Sequence, residues 1–576
     1  MGADQRVTVL KSLYLFIIIL TACLLCIDTT SGLSLRWLTA PLLTAFLISW
    51  PTAFIPNRLR EVVQLVLGEA VIFICLVDCY CQEIFASAIT PQILSNIILS
   101  DTRESLEFLS TFIGYHVLSH WRVFVLVIFI LLFPIGLFLQ NKYISCLHPN
   151  KKVIYAGILL FVTSLACEAL PLYRYAQLFF QNSNLQKMEG FIFRHYHEDV
   201  PTPLHRFLFS HYSLQQSSHV LEKIKKSTFE AQIDSCFYQS SHIVIVIGES
   251  YNKHHSSIYG YPLNTTPLLQ KRKDNGELHV FKDVVSPWNI TSNDFLSIFS
   301  LWEYGLTATI AEKPLFPILF RRAGYEVNFF SNQYVLRGFR KGATNQAGHF
   351  FLADGEISNN LFSFRNKRTS KYDMGLVRQV EKYKTMNGQS EHSLDIIHLI
   401  GQHFEYEERY PEQDVFFSTR SYADRDLDEK ARTVVMHYDN ATYYDDIVLD
   451  HILSLYKEDD AIVLFVADHG EEVYDDEPIH GRLFQEPTLS QARNEYEVPM
   501  WIWCSESYRQ SHPDVIRDIV QAQNRPFMTD GLPQVLLSLA GISCQWTDES
   551  KNLLSPNYRC KPRIIGGCVD YDKLKK

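Results

Sequence analysis

Positive charge and outer-half cysteine are both scarce in this 576-residue chain. Its 53 Lys and Arg are outnumbered by 63 Asp and Glu, for a net charge of -10, which argues against nucleic acid as the main partner. No long block of one charge sign, no low-complexity tract and no internal repeat is present. Beyond residue 175 the cysteines are Cys236, Cys504, Cys544, Cys560 and Cys568. They form no CxxC pair, so a zinc ribbon is not expected there. Cys544, Cys560 and Cys568 leave room for one disulfide without fixing its partners. The other seven cysteines (Cys23, Cys26, Cys75, Cys79, Cys81, Cys146 and Cys167) lie in or beside apolar runs, where a thiol behaves as a small hydrophobe. Long apolar runs are also missing after residue 175, and the remainder reads as a soluble globular domain.

Before that point the chain is rich in such runs. Five approach the ~20 residues that cross a bilayer as helix: Ser12–Ile27, Trp37–Ile55, Val62–Tyr80, Trp121–Leu139 and Val153–Leu172. A cleaved signal peptide is disfavoured for the first, because no small-residue cleavage site follows it and four more runs do. Arg6 and Lys11, then Arg58 and Arg60, then Lys142, Lys151 and Lys152 flank alternate ends. These basic clusters belong on the cytoplasmic side, which places the C-terminal domain on the opposite face. Glu69, Asp78 and Glu168 fall inside the runs. Intramembrane carboxylates are costly and often functional, although Asp78 and Glu168 also fit solvated positions at the outer interface. The expected organisation is a five-span membrane domain over 1–175, with 81–120 as an outer-face loop or interfacial helices. A polar, aromatic-rich bridge over 176–235 then leads to a catalytic domain over 236–576.

In the outer domain, β-rich runs alternate with helical stretches. His242–Ile247, Glu326–Phe330, Leu394–Ile400, Ala461–Val466 and Val498–Trp503 are the best strands, which predicts a mostly parallel sheet covered on both faces. Ligands in such sheets bind beyond the carboxyl ends of the strands. Glu249 follows the first strand, Asp468 and His469 the fourth, His403 the third, and His480 a later loop. Taken singly, Glu249 reads as a helix cap or surface charge, and His403 or His480 as a loop histidine. Gathered at successive strand ends, they point to a metal site. Carboxylate and imidazole without thiolate suit zinc, while carboxylates alone would tolerate manganese or magnesium.

Thr291 and Ser292 open a predicted helix over Ser292–Trp302. A helix N-terminus offers free N–H groups and the positive dipole end, which suit a phosphate. In isolation Thr291 reads better as an N-cap than as a nucleophile.

At this point the residues resemble a known family. The stretch from Gly248 to Pro267 carries the GES…YGY…TTP pattern of the bacterial phosphoethanolamine transferases, members of the alkaline phosphatase/sulfatase superfamily. FKDVVSPWNIT (281–291), RRAGYEV (321–327), SNQ (331–333), HLIGQHFEYEERYP (398–411), ADHGEE (467–472), HG (480–481) and EVPMWIW (497–503) follow in order. The five-run layout fits as well, so the resemblance covers nearly the whole chain, closest to the lipid A and core-oligosaccharide branches. It implies an α/β sulfatase-like domain behind five transmembrane helices. It further implies that Glu249, Thr291, Asp468 and His469 hold a zinc ion and that Thr291 is the nucleophile. His403 and His480 would lie near the phosphate and a second metal, with Asn332 and Gln333 lining the substrate site. Two departures stand out. Tyr334–Arg340 has none of the cysteines that the lipid A branch carries near SNQ, and the sulfatase nucleophile pattern Cys/Ser-x-Pro-x-Arg is missing around Thr291, which disfavours sulfatase chemistry.

The expected reaction moves phosphoethanolamine from phosphatidylethanolamine to lipid A or the lipopolysaccharide core. Metal coordination would lower the pKa of an otherwise poor threonine nucleophile, and His403 or His480 would handle protons. The expected cofactor is one tightly held zinc, with a second allowed and manganese or magnesium disfavoured. The expected location is the bacterial inner membrane as a monomer, with the catalytic domain in the periplasm. Three alternatives are a glycerol-phosphate transferase of the lipoteichoic-acid-synthase type, a metal-dependent phosphodiesterase, and a non-catalytic scaffold.

Overall fold

The computed structural model describes residues 12–27, 35–85, 88–89, 93–94, 120–143, 151–180, 202–302, 312–333, 351–387, 390–483 and 487–576. Arg6, Lys11, Cys146, Tyr334–Arg340, most of the 81–120 loop and residues 181–201 of the 176–235 bridge lie outside these residues. Two compact units emerge, one from residues up to Gln216 and one from Ser217–Arg482 with Glu486–Lys576.

The first unit is helical. Each apolar run forms a helix: α1 (Leu13–Leu25), α2 (Arg36–Thr52), α3 (Asn57–Phe85), α4 (Trp121–Tyr143) and α5 (Lys151–Phe180). Within them, Leu59–Ile84, Trp121–Gln140 and Ile154–Tyr173 are long and apolar enough to cross a membrane. The other two runs make shorter helices, 13 residues in α1 and 17 in α2, the latter interrupted by Pro41 and Pro51. Three of the five expected spans therefore meet the length criterion among the described residues. Leu15, Ile19, Val71, Ile72, Val123, Leu126 and Phe133 form the core of this unit, together with Cys23, Cys26, Cys75 and Cys79.

Of the three acids in the apolar runs, Asp78 and Glu168 are not solvated, while Glu69 is half-buried. Asp78 is fully buried and pairs with Arg206 from α6 (Pro203–Glu230). It also accepts from Ile89 N at 3.0 Å. Glu168 is buried too and accepts from Arg36 Nη2 at 3.0 Å and Thr39 Oγ1 at 2.7 Å. Each charge is thus paired and hydrogen-bonded, the condition under which a buried ion is tolerable.

The second unit is built on a seven-stranded sheet. Its strands are β1 (His242–Gly248), β2 (Leu278–Phe281), β3 (Glu326–Ser331), β4 (Phe364–Arg365), β5 (Ser393–His398), β6 (Ala461–Ala467) and β7 (Met500–Cys504). The spatial order is β2-β7-β6-β1-β5-β3-β4. All neighbours pair in parallel except β7, which is antiparallel to both β6 and β2. Strands β1, β5, β6 and β7 are buried along their whole length, as expected for a sheet covered on both faces. Ile243, Ile245 and Ile247 of β1 are at most 1% exposed, each worth roughly 1.5–3 kcal/mol of burial. Ile247 lies opposite both His398 and Val466. That register brings the ends of β1, β5 and β6 to one edge. Glu249, the segment from His398 to His403, and Asp468-His469 therefore converge there. The five outer-domain cysteines carry free thiols, so the disulfide allowed among Cys544, Cys560 and Cys568 is not formed.

Candidate active site

Four side chains meet at this edge. Glu249, Asp468 and His469 are fully buried and offer ligand atoms within 4.8 Å of one another. Thr291 comes from the start of helix α7 (Thr291–Phe299). Its Oγ1 lies 3.2 Å from each Glu249 oxygen and 3.2 Å from His469 Nε2. Thr291 is not the N-cap: that position belongs to Ile290, which has no side-chain acceptor to give. The hydroxyl is aimed at the acid and the imidazole instead.

The backbone around these groups is fixed tightly. Ser250 takes a left-handed φ of 54°, an uncommon conformation for a residue with a side chain. Its N–H donates to Asp468 Oδ1 at 3.2 Å and its hydroxyl to Glu249 Oε1 at 3.0 Å. Behind Glu249 runs Gly401, with φ +47°. A Cβ there would stand 2.9 Å from Glu249 O and 3.0 Å from Glu249 N, so this close approach requires glycine.

His469 donates Nδ1–H to Gly470 O at 2.8 Å, which leaves the Nε2 lone pair facing Thr291 and the acids. Burial raises the Glu249 carboxyl, but hydrogen bonds with His398 and His469 outweigh it and hold the group well below the ordinary carboxylate range. Asp468 is pushed well above that range by burial and by the Glu249 charge. Its Oδ2 is buried with no hydrogen-bond partner, 3.4 Å from His469 Nε2. Two acids, one imidazole with its lone pair turned inward, and an orphaned carboxylate oxygen fit a divalent cation such as zinc.

Gln333 touches this cluster directly: its Nε2 donates to Glu249 Oε2 at 3.0 Å and to Leu399 O at 2.9 Å. Asn332 does not line the site, because its amide is committed to the scaffold. Nδ2 donates to Asp373 Oδ1 at 2.8 Å, and Oδ1 accepts from Ser370 N at 2.6 Å. His403 is buried, and its Nδ1 has no hydrogen-bond partner. Burial drives its pKa down to about 3 despite the nearby Glu249 charge, so it is neutral. His480 stands further out, with Nδ1 3.3 Å from the Tyr474 hydroxyl, and burial lowers it to about 4. It reaches the cluster through others: its ring packs near Tyr406, whose hydroxyl donates to Glu471 Oε1 at 2.9 Å.

Two contributors escape sequence reasoning. His398, read as a strand residue, hydrogen-bonds Ser331 Oγ through Nδ1 at 3.0 Å and turns Nε2 toward Glu249 Oε2 at 3.9 Å. Arg482 donates from Nη1 to His469 Nε2 at 2.7 Å. Its position just after His480-Gly481 was the only available signal.

A sulfatase family model matches residues 241–542. The chain belongs to the sulfatase family. Among characterised proteins it is similar to phosphoethanolamine transferase EptC of Escherichia coli (strain K12), 28% identical over 344 residues, 58% of this chain and 57% of that protein. It is also similar to the Kdo(2)-lipid A phosphoethanolamine 7''-transferase of the same strain, 25% identical over 298 residues, 51% and 49% of the two chains. The chain thus matches about half the length of these relatives. The crystal structure of the C-terminal periplasmic domain of E. coli EptC superposes with a TM-score of 0.50 at 25% identity, over 60% of this chain and 96% of that one. The integral membrane protein lipooligosaccharide phosphoethanolamine transferase A (EptA) of Neisseria meningitidis superposes with a TM-score of 0.58 at 19% identity, over 95% and 97%. That last likeness is one of fold, and it runs through the helical region as well as the α/β unit.

Proposed function

We propose that this protein is a membrane-anchored, zinc-dependent transferase. It moves phosphoethanolamine from phosphatidylethanolamine to a lipid A or lipopolysaccharide-core acceptor through Thr291. The observation that carries this is the convergence of the Thr291 hydroxyl on Glu249 and His469 at 3.2 Å. The phosphoethanolamine transferases among its relatives supply the head group, and the apolar helices suit a lipid donor and a lipid product.

Glu249, Thr291, Asp468 and His469 would hold the zinc. Bound there, zinc would supply the Lewis-acid charge that lowers the hydroxyl pKa and offsets negative charge growing on the phosphate. The protein's own groups do the rest. The ionised Glu249 carboxylate accepts the Thr291 hydroxyl hydrogen and orients Oγ1 toward phosphorus. Oγ1 forms a bond to phosphorus, the bond from phosphorus to the glycerol oxygen breaks, and the Thr291 proton, passed on by Glu249, ends on that oxygen as diacylglycerol leaves. An acceptor oxygen then attacks the same phosphorus and the bond from phosphorus to Thr291 Oγ1 breaks. Neutral His403, with Nδ1 unengaged, takes the acceptor's proton, and the departing Oγ1 regains a proton from it to restore the threonine hydroxyl. Five spans with the catalytic unit in the periplasm of a bacterial inner-membrane protein put donor and acceptor on one face.

Thr291→Ala should leave the thermal unfolding profile in place and abolish transfer. Thr291→Ser should keep part of it. Mass spectrometry of protein incubated with a mixture of phosphatidylethanolamine and phosphatidylglycerol, without acceptor, should find phosphoethanolamine on the Thr291 peptide. A glycerol-phosphate adduct would redirect the assignment to the donor seen in lipoteichoic-acid synthesis, and activity retained in Thr291→Ala would overturn the nucleophile.

A further inference from the structure

Arg482 reaches back into the acid cluster from just beyond His480. Its Nη1 donates to His469 Nε2 at 2.7 Å and to Asn289 O at 3.2 Å, and its Nε faces Glu471 Oε2 at 3.3 Å. The charges of Glu471, Glu249, Asp468 and Glu495 all favour the guanidinium. His469 has already committed Nδ1 to Gly470 O, so Nε2 is the one lone pair its ring can offer a metal. Arg482 and a metal ion therefore compete for one nitrogen and one set of negative charges. Thr291 Oγ1 approaches the same nitrogen at 3.2 Å, so a guanidinium displaced from His469 begins its movement beside the nucleophile. A planar guanidinium fork matches two oxygens of a phosphate better than any other side chain.

We propose that Arg482 is the residue that holds the donor's phosphate, and that its hydrogen bond to His469 is a resting position vacated when the metal binds. This rests on the metal and nucleophile roles proposed above. A metal ion taking His469 Nε2 would displace the guanidinium from that nitrogen and leave it free to meet the incoming anion.

The test uses the full-length chain in detergent, stripped of metal and titrated with zinc against a chromophoric chelator. Arg482→Ala should bind zinc about 10- to 100-fold more tightly, the equivalent of one charge-assisted hydrogen bond removed from competition. A merely structural arginine would give the opposite sign, because its loss would loosen the ligands. With zinc saturating, the KM for p-nitrophenyl phosphoethanolamine should rise at least about tenfold, and Arg482→Lys should lie in between. Arg482→Gln, which keeps a donor toward Asn289 and Glu471, gives the same two readouts if the alanine variant unfolds. Unchanged or weaker zinc binding overturns the resting position, and an unchanged KM overturns the phosphate-holding role. Glu249→Gln run alongside should lose zinc. If it keeps zinc, the metal site itself is misassigned, whatever Arg482 does.

Discussion

Gly401→Ala should damage catalysis far more than it damages the fold. The residue holds φ at +47°, and a left-handed L-residue costs about 1–2 kcal/mol. The added methyl would stand 2.9 Å from Glu249 O and 3.0 Å from Glu249 N. Both are backbone atoms, so no side chain can swing aside, and one of the two segments must shift by several tenths of an ångström. The combined fold cost is about 2–4 kcal/mol, against a sheet whose central strands are wholly buried. The shift falls on the residue whose carboxylate meets Thr291 and His469, where misplacement approaching 1 Å costs about 10²-fold in rate. The assay pairs thermal unfolding with transfer to a lipopolysaccharide acceptor followed by mass spectrometry. The expected result is a melting point lowered by several degrees with transfer reduced about 10²-fold. A lowered melting point with full transfer would show that Glu249 is not positioned through Gly401. Wild-type behaviour in both would show that the close approach does not exist.

Two further predictions concern stability. Asp445 lies in α8 (Glu429–Leu455), is 2% exposed, and has no hydrogen-bond partner on either oxygen, with Gln402 only softening its charge. Burial first, then the charges of Asp373 and Asp446, push its pKa well above the ordinary value. The unfolded chain therefore loses this proton at a lower pH than the folded one, so stability falls as pH rises from the ordinary carboxylate range toward the folded pKa. Asp445→Asn should gain about 1–3 kcal/mol at pH 8 and less at pH 5, read by thermal unfolding at the two pH values; a loss at pH 8 would contradict the assignment. Arg563, 1% exposed, ties the C-terminal segment down by donating to Asp283 Oδ1 at 2.8 Å and Asp572 Oδ1 at 2.5 Å. Arg563→Ala should cost about 3 kcal/mol and expose the last turn to limited proteolysis, and an unchanged digestion pattern would sink the idea.

The central strands were legible because β1 and β6 carry unbroken apolar runs and β5 carries one interrupted by Asp395, and their common direction put the chemistry at their carboxyl ends. Strand β2 was not: Leu278–Phe281 is four residues long, with His279 inside it, and shows no period of its own. Strand β4, at the far edge, has two residues. Glu249, Asp468 and His469 were legible as candidates because each follows a strand end, whereas Thr291, a cap by position, became one only through the family resemblance. Arg482 and the Asp78–Arg206 pair were not, since long-range pairings of charge leave no local pattern. Asn332 and Gln333, adjacent in sequence, part ways because consecutive side chains leaving a strand face opposite sides. One amide goes to Asp373 and the other to Glu249.

The helix that Thr291 begins has no side-chain cap. Asn293 N and Asp294 N turn to Ile290 O instead, and in the proposed mechanism a phosphoryl group esterified to Thr291 would bring further acceptors to the first turn. The loaded intermediate would then complete an element of secondary structure that the free protein leaves unfinished. The cargo would count as part of the fold for as long as it is carried.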